Sequence, residues 1–119
     1  DYYRYMQESD VVVNASLKEG AVTTAFDSMA MAKPLICIDT KGYTRYFTDE
    51  YALILPIEKI EKLIHSLKDA ALKLTDADLR TKMGMNAQQA GKQFTWESRG
   101  SEIYEAISNA YSANQDSGK

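Results

Sequence analysis

Two acids, Glu19 and Asp27, stand eight positions apart on either side of a short glycine turn. An apolar run, Val11-Val12-Val13, leads into the polar stretch Ser16-Leu17-Lys18-Glu19-Gly20, and a segment of helical character follows from Ala21. Strand, glycine turn and helix together are the usual way an α/β fold builds an anion site. The turn lies at the carboxyl end of a strand, and the next helix points its free N–H groups at the ligand. Lys18 adds a cation within the same turn. Metal chemistry finds no cluster of ligands, because the chain has one cysteine and one histidine.

The elements that must hold this turn can be read in order. Residues 2–8 form the end of a helix with Tyr2, Tyr3 and Met6 on its apolar side, broken by Ser9-Asp10. Residues 11–14 read as a buried strand, continuously apolar and β-branched. Residues 21–32 read as a helix that buries Ala25, Phe26, Met29, Ala30 and Ala32, with Thr23, Thr24 and Asp27 on another side facing the turn. Pro34 stops it, and Leu35-Ile36-Cys37-Ile38 is a second buried strand. Residues 44–50 form a helical turn or loop, and residues 51–55 a third strand closed by Pro56.

The remainder is helical. Ile57, Ile60, Leu63, Ile64, Leu67, Ala71 and Leu74 make one apolar stripe through residues 57–74. Thr75 reads as the N-cap of a helix running to about Ala90, with Gly91 as its stop. A last helix opens at Phe94 or Thr95 and packs through Trp96, Ile103 and Ile107. Residues 1–112 are expected to form one domain, and residues 113–119 a polar frayed tail. The strand–helix–strand spacing implies a right-handed crossover and a parallel sheet. The exits at 14–20 and 39–43 then share one sheet edge, where open α/β sheets bind ligands. The expected architecture is α/β: a Rossmann-like three-layer half-domain, with a short parallel sheet of about three strands flanked by helices and followed by C-terminal helices.

Composition bounds the function. The chain has 119 residues, 45% apolar and 26% charged, which suits one small soluble domain. Its net charge of −3 gives no support to nucleic-acid binding. No apolar run is long enough to cross a bilayer, and the start carries no signal-peptide pattern. The opening Asp1-Tyr2-Tyr3-Arg4-Tyr5 reads as a piece cut from a longer chain. The lone Cys37 suits a reducing compartment, and a cytoplasmic location is expected.

The stretch 16–20, the step from Glu19 to Asp27, Met29-Ala30, Lys33-Pro34-Leu35-Ile36 and Phe94-Thr95-Trp96-Glu97 occur in order along the chain. In this they resemble the group 1 glycosyltransferases, the retaining family 4 enzymes of GT-B fold that use nucleotide sugars. The resemblance runs from about Tyr3 to Tyr111. It implies that this chain is the second half of the C-terminal, donor-binding domain. It puts Glu19 beside the donor sugar and its phosphate as the catalytic-site acid, and Asp27 on the ribose hydroxyls. It turns the backbone N–H groups of Gly20, Ala21, Val22 and Thr23 toward sugar and diphosphate, with Lys18 in the same turn. The full enzyme would move a hexose from a UDP- or GDP-sugar to a saccharide, lipid or polysaccharide acceptor with retention, as in polysaccharide biosynthesis. No cofactor or metal is implied; the nucleotide sugar is a substrate.

The chain departs from the family pattern at four places. Asp27 stands where Glu is usual, Val22 and Ala32 stand where glycine is usual, and residues 39–43 keep one glycine of two. The resemblance also implies an N-terminal acceptor domain, and a first half of the donor domain that supplies an Arg and a Lys to the diphosphate. Without them the 119-residue chain is expected to transfer no sugar by itself. Its partners would be the nucleotide sugar, that acceptor domain, a membrane surface met peripherally by the whole enzyme, and a second copy at the exposed sheet edge. Two other readings stay open: a non-catalytic nucleotide-sugar-binding or interaction module of the same fold, and a generic Rossmann-like phosphate binder.

Overall fold

The computed structural model describes residues 1–18, 23–41 and 45–118. Among them are five helices and three strands: α1 (Tyr2–Glu8), β1 (Val12–Asn14), α2 (Thr23–Ala30), β2 (Leu35–Ile38), β3 (Ala52–Leu55), α3 (Ile60–Lys73), α4 (Ala77–Gly91) and α5 (Trp96–Ser117). The strands pair in parallel in the order β1-β2-β3, with Val13 opposite Ile36 and Ile36 opposite Leu53. The chain is therefore α/β, with the Rossmann-like three-layer arrangement expected of it.

Alternation along the strands sends side chains to two cores. Val12, Leu35, Cys37, Ala52 and Ile54 meet Met6 of α1, and Ala25 and Met29 of α2. Ile36, Ile38, Leu53 and Leu55 meet Leu63, Ala70 and Leu74 at α3. All four residues of β2 are buried, as a central parallel strand requires. Burial pushes the Cys37 thiol up to about 12, with the Asp39 charge adding to it.

α4 joins the two cores. Leu79 and Met83 pack with the α3 side, and Ala87 and Ala90 with the α2 side. It crosses the sheet at the edge where β2 and β3 begin: Asn86 Nδ2 donates to the Glu50 carbonyl and Gln88 Nε2 to the Ala30 carbonyl. Gly84, Ala87 and Gly91 form a ridge of small residues on α4. A Cβ on Gly84 would collide with the Ala32 carbonyl oxygen, and one on Gly91 would crowd Met29 Cβ at 3.2 Å. The end of α2 is closed there by a Schellman motif, in which Lys33 N–H bonds the Ser28 carbonyl and Ala32 N–H the Met29 carbonyl. That closure puts Ala32 at φ 55°, the left-handed region. This is the physical reason why glycine suits the position.

Several expectations are corrected. Asp76, not Thr75, caps α4, accepting from the N–H groups of Asp78 and Leu79; the Thr75 hydroxyl turns back to the Leu72 carbonyl. On α2 the buried set is Ala25, Ser28 and Met29, while Ala30 is exposed. Ser28 is tolerated inside because its hydroxyl donates to the Ala25 carbonyl at 2.6 Å. Tyr2 and Tyr3 are exposed, so Met6 is the one side chain that α1 buries. The apolar stripe of α3 is split: Leu63 and Leu74 are buried, whereas Ile57, Ile60 and Ile64 face outward. Thr95 caps α5, accepting from Ser98 N–H. None of the α5 residues is buried, and Trp96, expected to pack, is 90% exposed. The same helix takes in residues 113–117, where the Ser117 hydroxyl donates to the Ala113 carbonyl.

Replacing Ala32 by glycine relieves the left-handed strain, and it is expected to stabilise the fold by about 0.5–1 kcal/mol, read as a higher melting temperature. Gly84→Ala should do the reverse, costing about 2–3 kcal/mol through overpacking. The unfolded thiol ionises near 9 and the folded one near 12, so the stability Cys37 contributes is complete below pH 9 and is lost as pH rises toward 12. Urea titrations should show Cys37→Ala losing less stability than the wild type across that window.

Candidate functional site

Because the sheet is parallel, the exits of β1 and β2 lie at one edge, together with the beginning of α2. Asn14 closes the β1 exit: its side-chain oxygen accepts from Ser16 N–H at 3.1 Å, turning the chain off the strand. Asp39 does the same at the β2 exit, accepting from Lys41 N–H at 2.9 Å. Lys41 takes φ 66°, so this exit is a tight left-handed turn. The Thr40 hydroxyl oxygen beside it is buried and has no hydrogen-bond partner among the described residues.

α2 carries the polar side chains of the edge. Thr23 is exposed, Thr24 and Asp27 are half-buried one turn apart, and Lys18 is exposed at the end of the β1 exit. Glu19, Gly20, Ala21 and Val22, the core of the expected site, lie outside the described residues, as does Gly42. Of the expected set, Thr23 and Asp27 are placed on the first turns of α2.

The structure adds a partner that the sequence did not point to. The Tyr2 hydroxyl donates to Asp27 Oδ2 at 3.0 Å, across 25 residues. Desolvation is the main cause that raises the Tyr2 phenol above its ordinary value. The hydrogen bond to Asp27 and its negative charge add to the rise, while a hydrogen bond with the Thr24 side chain opposes it. A second tether fixes the other end of α1, where Lys33 Nζ donates to the Gln7 carbonyl at 2.9 Å. The two tethers and buried Met6 hold α1 beside α2, so Tyr2 reaches Asp27 from a defined position. No local pattern announces this contact; an exposed tyrosine on a short helix has no periodic signature.

The opposite flank of α2 is anchored by aromatic rings. Phe26 sits 5.6 Å from Tyr46, 5.6 Å from Phe47 and 5.4 Å from Phe94, in edge or tilted arrangements. The Tyr51 hydroxyl donates to the Tyr46 carbonyl at 2.6 Å. This cluster ties the chain after the β2 exit to the helix bearing Asp27. It also separates the roles within Phe94-Thr95-Trp96: Phe94 packs, Thr95 caps, and Trp96 faces solvent. A shallow groove between Glu50, Leu53, Lys82 and Asn86 lies at the far edge of the sheet and shares no residue with this site. Among the described residues no group of metal ligands occurs, and no helix is long and apolar enough to cross a membrane.

The family model described as "Glycosyl transferases group 1" matches residues 1–90, from α1 through nearly all of α4. Searches of curated proteins and of solved structures find no match.

The Asp27 carboxylate contributes little to the fold, since the hydrogen bond it accepts from Tyr2 is open to water. Asp27→Ala is expected to change the unfolding free energy by less than about 1 kcal/mol in a urea titration. A larger loss would make the acid a structural residue.

Proposed function

The chain belongs to the group 1 glycosyltransferases, and from that premise we propose that it is the donor-holding part of a retaining, nucleotide-sugar-dependent hexosyltransferase of GT-B fold. The observation that carries the reading is the match over residues 1–90 combined with a parallel sheet whose exits and α2 start share one edge. Ligands of open α/β sheets bind at that edge.

In this reading Glu19 lies beside the donor sugar and steadies charge near the anomeric carbon. The start of α2 faces the diphosphate, with backbone N–H groups of Gly20, Ala21, Val22 and Thr23 and the Lys18 ammonium around it. A helix N-terminus favours the negative charge that grows on the diphosphate as the glycosidic bond breaks. Asp27 accepts from the ribose hydroxyls. The eight-residue step from Glu19 to Asp27 suits the reach from a sugar across a pyrophosphate to a ribose. The acceptor, a saccharide, lipid or polysaccharide, and the remaining diphosphate ligands come from a further domain and half-domain of the same enzyme. The whole enzyme works in the cytoplasm.

A donor screen on the full-length protein tests this. Turnover with a UDP- or GDP-hexose is expected, with product of retained anomeric configuration. Glu19→Ala should lower kcat/KM by about 100-fold or more, the usual scale for losing one group that stabilises a transition state. Tight donor binding without turnover would favour the non-catalytic module, and nucleoside diphosphates bound as well as their sugar adducts would favour a generic phosphate binder.

A further inference from the structure

The Tyr2–Asp27 pair is exposed enough to meet a ligand and too solvated to contribute much to folding. Tyr2 retains 46% of its accessible surface, and its hydroxyl lies 3.0 Å from Asp27 Oδ2. A phenol oxygen has one O–H to donate and two lone pairs. Here the proton goes to Asp27 and a hydrogen bond with Thr24 engages the oxygen from the α2 side, which leaves a lone pair for a ligand. On the carboxylate, Oδ2 accepts from the Tyr2 hydroxyl, and no further hydrogen bond to the carboxylate is made among the described residues.

The two oxygens thus stand one hydrogen-bond length apart, each with an acceptor site left over. Adjacent hydroxyls on a five-membered sugar present two donors at a similar separation. An aspartate alone would have to take both donors on a side chain one methylene shorter than glutamate. The phenol widens the acceptor edge from one side chain to two.

We infer that Tyr2 and Asp27 act together as a bidentate acceptor for the ribose diol of the nucleotide, which makes Tyr2 a binding and specificity residue of the donor site. This rests on the reading that Asp27 faces the ribose. The phenol takes one ribose hydroxyl and the carboxylate takes the other. α1 is held beside α2 by the Lys33–Gln7 tether and by Met6, so the pair is set before the ligand arrives.

Calorimetric titration of the full-length protein with UDP, GDP and ADP, and with the 2′-deoxy and 3′-deoxy counterparts of whichever binds tightest, tests the inference. Phenylalanine fills the same space at this exposed position, so Tyr2→Phe keeps the fold, checked by its melting temperature. Tyr2→Phe is expected to weaken binding of the ribonucleotide by about tenfold, the scale of one hydrogen bond, and to change one deoxy form, the one lacking the hydroxyl that the phenol takes, by less than about twofold. Equal weakening of the ribonucleotide and of both deoxy forms would assign Tyr2 a structural role and overturn the inference. Loss of affinity in Asp27→Ala but not in Tyr2→Phe would overturn it while leaving the ribose role of Asp27 intact. Unchanged ribonucleotide affinity in both variants, or a wild-type protein that binds none of the three nucleotides, would remove that role and the inference with it.

Discussion

The structure depends on one close approach. The α4 backbone comes against the end of α2 at Gly84 and Ala32, where no side chain fits between them. That contact, with Ala87 and Gly91 on the same ridge, presses α2 onto the sheet at the edge away from the site. Gln88 adds a hydrogen bond to the Ala30 carbonyl. α2 is thereby fixed at its last turn, and its first turns, with Thr24 and Asp27, are set at the opposite edge. A short helix would otherwise have little to hold it, since helices of this length are marginal without tertiary packing.

Residues far apart in the chain converge on α2 from both flanks. Tyr2 and Lys33 bring α1 to one side, and the rings of Tyr46, Phe47 and Phe94 pack on the other. α2 is thus braced by segments that precede it and segments that follow it in the chain. The Phe-Thr-Trp stretch divides into a packing residue, a cap and an exposed ring, so its parts answer to different physical demands. In the proposed site the brace has a chemical consequence, because it delivers a phenol to the acid on α2.

Much of the fold was legible because it follows from short-range rules. The β-branched and apolar runs gave β1 and β2, Pro34 separated α2 from β2, and Thr95 marked the start of α5. The errors came where neighbours compete or where burial is decided at a distance. Thr75 and Asp76 are both good caps, and the chain uses Asp76 while Thr75 bonds backward. Ile57, Ile60 and Ile64 share the period of the buried α3 residues, but the three strands reach only part of that face. Trp96, Ile103 and Ile107 keep helical spacing, yet α5 has no buried residue among the described elements. Periodicity reports which residues share a face; it does not report whether another element covers that face.

The sequence by itself determined the α/β class, the parallel connection and the edge that the strand exits share, because strand, turn and helix signals are local and the crossover has one hand. It also marked Asp27 as a candidate and Ala32 as a departure from a usual glycine. Tertiary structure alone decided why that glycine is usual, since the left-handed turn at Ala32 follows from how α2 ends under α4. It alone paired Tyr2 with Asp27, because a contact across 25 residues depends on how two helices are held side by side and leaves no pattern in either.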